Sequence, residues 1–92
     1  MTSNKTWRVV TGPRERKFLN TIPLMDHERI VQALDELAVD PWYGDIQKLG
    51  GEKNTWRRRI GNYRISYSIH SEQNLIMIED IDRRTTTNYR KR

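Results

Sequence analysis

The sequence predicts an α+β domain in which two N-terminal antiparallel helices pack on a small, mainly antiparallel sheet of three or four strands. Two observations lead to this prediction. Between residues 13 and 38 apolar residues recur at helical spacing, and from residue 54 onward apolar and polar residues alternate as they do in strands. The chain has 92 residues, a size at which one core suffices, and we assign it to a single domain, 1–92.

A brief first helix is predicted after a short β-prone run at residues 7–11. Gly12 and Pro13 suit an N-cap and a first helical position. Apolar residues then recur at helical spacing until Pro23, which ends the helix because proline lacks an amide hydrogen and restricts the residue before it.

The second helix has the strongest periodic signal in the chain. It is predicted to begin near Asp26, which suits an N-cap, and to end at Asp40-Pro41. The stretch 42–51 contains three glycines and is predicted to be a connecting loop. The apolar stripe of this helix consists of Ile30, Val31, Leu34, Leu37 and Ala38.

The second half of the chain predicts a three-stranded meander. Residues 63–69 alternate between apolar and polar side chains, residues 70–74 form a polar turn, and residues 75–81 are an apolar run typical of a central strand. Tyr63 and Tyr67 fall in the apolar register and are predicted to lie in the core. The strand at residues 7–11 extends this sheet, and both helices are expected to cover its apolar face.

Positive charge is concentrated in the second part of the chain. Residues 1–52 hold seven basic and eight acidic residues, a net charge of −1, whereas residues 53–92 hold ten basic and four acidic residues, a net charge of +6. Concentrated positive charge attracts polyanions, whereas dispersed charge serves solubility alone. The distribution therefore favours a nucleic-acid partner.

The hairpin at residues 55–67 is the most basic segment, with three consecutive arginines before a Gly-Asn turn and a fourth after it. Because side chains reverse face at every strand position, Arg57 and Arg59 share one face and Arg64 lies on the polar face of the next strand. Arg58 points the other way, toward the core edge or a helix carboxylate. The pattern predicts a surface that binds a phosphate backbone.

Composition excludes several classes of site. The chain has no cysteine, which rules out disulfides and thiolate metal sites and indicates a reducing compartment. Neither His27 nor His70 has a second ligand-type residue nearby in the sequence, so we expect no metal and no cofactor. No segment has the length of a signal peptide or a bilayer span, so we expect a cytoplasmic protein without a membrane partner.

Several local strings resemble those of one known superfamily. They are Pro13-Arg-Glu-Arg-Lys-Phe-Leu19, Leu37-Ala-Val-Asp-Pro41, Gly44-Asp-Ile-Gln-Lys-Leu-Gly50, Trp56-Arg-Arg-Arg-Ile-Gly-Asn-Tyr-Arg-Ile-Ser-Tyr67 and Asp80-Ile-Asp-Arg-Arg84. Together they resemble the RelE/ParE superfamily of toxins from bacterial and archaeal toxin–antitoxin pairs. The resemblance covers nearly the whole chain and implies a RelE-like, microbial RNase-like fold.

Two activities divide that superfamily. RelE-like members cut messenger RNA inside the ribosomal A site, whereas ParE-like members poison DNA gyrase and lack the RNase residues. The functional positions of RelE-like toxins look like Arg57, Arg59, Arg64, Arg83 and Tyr89 here. Because all five hold a suitable residue, the resemblance favours the RNase branch.

The resemblance implies that the RNA 2′-hydroxyl attacks the scissile phosphate. Arg57 and Arg59 would orient the substrate and stabilise phosphate charge, and Arg64 would bind the scissile phosphate. Arg83 would stabilise the phosphate or protonate the leaving group, and Tyr89 would stack on a base or position the hydroxyl. Further RNA-binding residues are predicted at Lys53, Arg84, Arg90 and Lys91.

One departure from the family pattern concerns the general base. The paired strand positions are often lysine in the family, and arginine practically cannot lose its proton. The chain must therefore use another base or rely on charge and orientation. Glu79, Asp80 and Asp82 are the nearest carboxylates in sequence, although such groups beside arginines are more often salt-bridge partners.

The partners that the resemblance implies are a cognate RelB-like antitoxin, mRNA in the ribosomal A site and 16S rRNA. An acidic antitoxin segment would match the basic second part of the chain. Two other functions stay open, a ParE-like DNA gyrase inhibitor and a non-catalytic RNA-binding module on the same fold.

Overall fold

One five-stranded sheet and two helices make up the fold, and the computed structural model describes residues 7–49 and 54–83. In chain order the elements are β1 (Arg8–Thr11), α1 (Pro13–Leu19), α2 (Leu24–Val39), β2 (Ile46–Lys48), β3 (Thr55–Ile60), β4 (Tyr63–His70) and β5 (Leu75–Arg83). The strand order is β1-β5-β4-β3-β2, with β1 parallel to β5 and all other neighbours antiparallel. The predicted α+β class is confirmed.

The helices begin and end close to the positions that the sequence predicts. Pro13 opens α1 behind Gly12, and α1 ends at Leu19. The second helix begins at Leu24, with Pro23 as its N-cap, three residues before the predicted N-cap Asp26. The Asp26 carboxylate instead accepts a hydrogen bond from the Tyr63 hydroxyl at 2.8 Å, which ties α2 to the sheet.

Both helices pack on one face of the sheet. The core there contains the predicted Tyr63 and Tyr67, and its other members are Leu19, Ile30, Ala33, Leu37, Ile60, Ile65, Ile69, Ile76, Ile78 and Ile81. Neither helix has the length and apolar content needed to cross a bilayer, among the residues that the structure describes. One face of the sheet is thus buried, and we call the opposite face the open face.

The sheet has one more strand than the sequence predicts. The predicted loop 42–51 contains β2, which pairs with β3 through Ile46 opposite Arg58 and Gln47 opposite Arg57. Gly44 precedes this strand with φ +98°, in the left-handed region, and a Cβ there would lie 2.7 Å from Arg58 Nε. The strand is therefore specified by pairing and by a close approach of the backbone to Arg58, not by an apolar pattern of its own.

An irregularity in β5 sets which side chains reach the open face. Ser66 pairs with Asp80 whereas Tyr67 pairs with Ile78, so Glu79 is an extra residue in β5. After this bulge the alternation changes phase, and Ile81 enters the core. Asp80 and Asp82 consequently share the open face.

Tyr67 anchors the connection between α2 and β2. Its side chain is completely buried, and its hydroxyl donates a hydrogen bond to the Pro41 carbonyl at 2.7 Å. Burial raises the pKa of Tyr67 to about 12, against an effect of Arg58 that lowers it. The phenol therefore stays protonated in the folded state at a pH where the unfolded chain has ionised it.

We expect alkaline pH to destabilise the protein through Tyr67. Between pH 10 and pH 12 the Tyr67 phenol keeps its proton in the folded state but loses it in the unfolded chain. The contribution of Tyr67 to the free energy of unfolding is therefore complete below pH 10 and falls as the pH rises toward 12. The loss at pH 12 is roughly 2 kcal/mol. Urea unfolding at pH 9 and pH 11.5 measures it, with Tyr67→Phe as the matched variant that loses this part of the pH dependence. An identical pH dependence in both proteins would contradict the assignment.

Candidate functional site

Polar and charged side chains from four neighbouring strands line the open face. The register of the sheet places them there because directly paired residues share a face. They include Gln47, Thr55, Arg57, Arg59, Arg64, Ser66, Ser68, Glu79, Asp80 and Asp82. This set contains three of the arginines that the sequence singles out.

Arg57, Arg59 and Arg64 form the basic part of the open face. Arg57 pairs with Ser66, and Arg59 pairs with Arg64 on the adjacent strand. Paired residues of antiparallel strands have Cα atoms about 5 Å apart, and alternate residues of one strand are about 7 Å apart. Three guanidinium groups are therefore within side-chain reach of one phosphate-sized ligand.

Arg57 is the arginine of this group that is most available to a ligand. It is partly buried beside Gln47 and Ser66, and among residues 7–49 and 54–83 it has no hydrogen-bond or ion-pair partner. A guanidinium offers planar, paired donors that match phosphate oxygens. Its position is thus suited to binding a phosphate.

The other two arginines are held by carboxylates. Arg59 Nε lies 3.1 Å from Asp45 Oδ2, and Arg64 Nε lies 3.3 Å from Asp82 Oδ1. All four side chains are at least one third exposed, and exposed ion pairs contribute little to stability. A phosphate can therefore replace either carboxylate at small cost.

Asp80 and Asp82 form a carboxyl pair beside the arginines. Burial raises the pKa of Asp80 above its usual value, and the charge of Asp82 and a hydrogen bond with it act in the same direction. Arg14 opposes this shift weakly, since its Nη2 lies 3.8 Å from Asp80 Oδ1 and its side chain is exposed to solvent. Asp80 is thus a stronger base than an ordinary aspartate.

Arg83 does not lie with the other three arginines. It pairs with Tyr63, donates a hydrogen bond to the Tyr63 hydroxyl at 3.0 Å, and lies 5.4 Å from the centre of that ring. Because Asp82 occupies the open-face position opposite Arg64, the next residue points to the helix-covered side. The structure therefore places the Arg83 guanidinium beside Tyr63 and not beside the other three, and its catalytic role stays a prediction.

Arg58 has the structural role that the sequence predicts. Its side chain is 11% exposed and forms an ion pair with Glu36 of α2, at 2.5 Å between Nη2 and Oε1. It also lies 5.6 Å from the centre of the Tyr43 ring. Arg58 therefore joins α2, β3 and the loop before β2. The same loop contains Asp45, the ion-pair partner of Arg59.

A second polar group lies farther along the open face. The Ser68 hydroxyl donates to Glu79 Oε2 at 2.9 Å and lies 2.9 Å from His70 Nε2. Within the described part of the chain, no three His, Asp or Glu side chains come together in a way that would hold a metal ion. The charged and hydrogen-bonding side chains that line this face can stabilise charge and transfer protons.

Five of the predicted site residues lie outside the described residues. They are Lys53, Arg84, Tyr89, Arg90 and Lys91. Two contributors to the face were not predicted, namely β2 and Asp45. The positions of the carboxylates after Glu79 depend on a bulge that strict alternation does not show.

Comparison with solved structures identifies the class of fold. A chain of the RelE–RelB complex from Pyrococcus horikoshii matches with a TM-score of 0.78 at 28% identity, over 88% of this chain and 98% of that chain. A chain of the toxin–antitoxin complex RelBE2 from Mycobacterium tuberculosis matches with a TM-score of 0.75 at 25% identity, over 86% and 99%. The isolated RelE toxin of E. coli shares the fold alone, with a TM-score of 0.76 at 15% identity over 90% and 89%.

The fold is therefore that of a RelE-type toxin. A family model described as the ParE toxin of the type II toxin–antitoxin system parDE matches residues 20–87, and this chain belongs to that family. The predicted membership of the RelE/ParE superfamily is thereby confirmed. Comparison with curated proteins found no significant relative.

Proposed function

We propose that this toxin is a ribosome-dependent endoribonuclease that cleaves mRNA in the A site. The observation that carries the proposal is the grouping of Arg57, Arg59 and Arg64 on the open face, with Arg57 unpartnered among the described residues. In cleavage by the 2′-hydroxyl, negative charge builds on the phosphate as the 2′-oxygen attacks. Fixed guanidinium groups stabilise that charge, which is usually the largest single contribution to the rate.

The charge balance of the open face explains why the ribosome is needed. Three arginines there stand beside the carboxylates of Asp45 and the Asp80–Asp82 pair. Such a face attracts free RNA only weakly, because its carboxylates repel the phosphates of RNA and offset much of the attraction of the arginines. The ribosome and its 16S rRNA would supply the affinity and the orientation of the mRNA, so free RNA is expected to be a poor substrate.

The proposal includes a RelB-like antitoxin as partner. Solved structures of the same fold are described as complexes of RelE with RelB. An antitoxin with an acidic segment would compete with phosphate for the arginines of the open face. Ribosomes, mRNA and this partner imply a cytoplasmic protein.

A second candidate is inhibition of DNA gyrase. The matching family model is that of the ParE toxin, and the superfamily resemblance gives gyrase poisoning to ParE-like members. Arg59 and Arg64 are held by carboxylates, as they would be if they had no RNA to bind. The free guanidinium of Arg57 favours the nuclease.

Primer extension on cellular mRNA after brief induction of the toxin separates these functions. We expect discrete cuts within codons for the native chain and uncut mRNA for an Arg57→Ala, Arg64→Ala variant of equal abundance. DNA breaks with intact mRNA would instead establish the gyrase function. Intact mRNA and intact DNA would leave a non-catalytic RNA-binding module.

A further inference from the structure

The arginines of the open face cannot serve as the proton acceptor of the reaction, and the identity of that acceptor is inferred on the basis of the function proposed above. Cleavage by the 2′-hydroxyl requires that a proton leave that oxygen. Arginine does not accept a proton at ordinary pH, so Arg57, Arg59 and Arg64 cannot remove it. Among the described residues of the same face, the groups that could accept the proton are Asp45, Glu79, Asp80, Asp82 and His70.

Four of these five groups are held by an arginine of the open face or by the Ser68 hydroxyl. Asp45 is paired with Arg59, and Asp82 is paired with Arg64. Glu79 accepts a hydrogen bond from Ser68, and His70 is in contact with the same hydroxyl. Asp80 has neither kind of contact among the described residues: its neighbours are Asp82 and, at 3.8 Å, the solvent-exposed Arg14, which makes Asp80 the strongest candidate.

Asp80 lies in the same row of the sheet as the free arginine. Ser66 pairs with Arg57 on one side and with Asp80 on the other. Neighbouring strands are about 5 Å apart, so the Cα atoms of Arg57 and Asp80 are separated by about 10 Å. A phosphate bound above Ser66 is within reach of the long Arg57 side chain. The ribose attached to that phosphate can then lie on the side of Asp80.

The bulge at Glu79 creates this arrangement. Without the extra residue, strict alternation after Ile78 would place Asp80 on the helix-covered side. With it, Asp80 and Asp82 both reach the open face. Bulges often redirect a side chain next to a functional site.

The groups around Asp80 favour its use as a base. On its own strand Asp82 lies beside it, and the helix α1 contributes the opposing charges of Arg14 and Glu15. Strand β4 contributes Ser66 and Arg64 from the facing positions. Burial and Asp82 together raise the pKa of Asp80, and a higher pKa strengthens a carboxylate as a base.

We propose that Asp80 is the general base of mRNA cleavage. Its carboxylate takes the proton of the 2′-hydroxyl while the 2′-oxygen forms a bond to phosphorus. The bond from phosphorus to the 5′-oxygen breaks, the 5′-oxygen takes a proton from water, and the products are a 2′,3′-cyclic phosphate and a 5′-hydroxyl. Asp82 holds Arg64 in place beside the same phosphate.

The test is the pH dependence of single-turnover mRNA cleavage on programmed ribosomes, for the native chain and Asp80→Asn. We expect Asp80→Asn to be slower by about 100-fold or more at pH 7. Its rate should rise tenfold per pH unit between pH 6.5 and 8.5, because hydroxide replaces the missing base, while the rate of the native chain stays nearly flat. Asp80→Glu, which keeps a carboxylate, should recover much of the rate.

Each other outcome has a defined meaning. A slow Asp80→Asn variant with a flat pH profile would show a positioning role and overturn the proposal. An Asp80→Asn rate that falls as the pH rises would indicate that Asp80 acts as a general acid, which also overturns the proposal. An unchanged rate would also overturn it. If Asp80→Asn does not fold, Asp80→Glu decides, since a loss beyond tenfold in a folded Asp80→Glu protein contradicts a base role. Absence of cleavage by the native chain would refute the proposed function itself.

Discussion

Replacing Arg57 by alanine is expected to slow cleavage of ribosome-bound mRNA by about 100- to 1000-fold, which corresponds to roughly 3 to 4 kcal/mol of transition-state stabilisation. Arg57 lies on the open face and has no partner among the described residues, so its guanidinium can interact with the phosphate without first leaving a carboxylate. Its removal does not expose a buried acid. The loss should therefore fall on the chemical step and not on folding.

Two matched variants show whether the effect comes from position or from charge alone. Lys17→Ala removes one positive charge from the exposed part of α1, on the helix side of the molecule, and should cleave at the native rate. Arg57→Lys keeps the charge but loses the paired donors, and its rate should lie between those of the native chain and Arg57→Ala. Equal losses in Lys17→Ala and Arg57→Ala would show that only net charge matters.

Replacing Glu36 by alanine is expected to lower the free energy of unfolding by about 3 kcal/mol. Glu36 is the ion-pair partner of Arg58, whose side chain is 11% exposed and would be left with a single long hydrogen bond of 3.4 Å to the Ala33 carbonyl. Arg58 Nε has no hydrogen-bond partner among the described residues even in the native protein. A buried cation with so few partners is costly.

Thermal and urea unfolding of Glu36→Ala and Glu28→Ala measure this contribution. Glu28 is an exposed residue of the same helix, so the two variants share the change in helix propensity. For a domain of this size 3 kcal/mol corresponds to a fall in melting temperature of roughly 15 °C. A difference below about 0.5 kcal/mol between the two variants would mean that Arg58 is stabilised mainly by the Tyr43 ring and by solvent.

The sequence predicts the helices and the central strands because each has a periodic pattern of its own. Strand β2 has three residues and only one apolar side chain, Ile46, so its existence depends on the exposed edge of β3. Local patterns cannot show such pairing, which is set by the tertiary structure. The position of Asp45 beside Arg59 was missed for the same reason.

The candidate site was predicted only in part, because the sequence does not show which side chains of β5 point to the open face. Alternation correctly places Arg57, Arg59 and Arg64 on one face because β3 and β4 pair without interruption along these residues. In β5 the bulge changes the phase of alternation, which brings Asp82 opposite Arg64 and turns Arg83 toward Tyr63. A single extra residue thus decides which charged side chains lie on the open face.

The most direct test of the account is a structure of this toxin on a ribosome whose mRNA carries a 2′-O-methyl group at the scissile nucleotide. The methyl group blocks attack by the 2′-oxygen and keeps the substrate intact. We expect the open face to lie against the A-site codon, with the Arg57 guanidinium within hydrogen-bonding distance of the scissile phosphate and Asp80 next to the methylated oxygen. A complex in which α1 and α2 face the codon, or in which Arg57 remains in solvent, would contradict it.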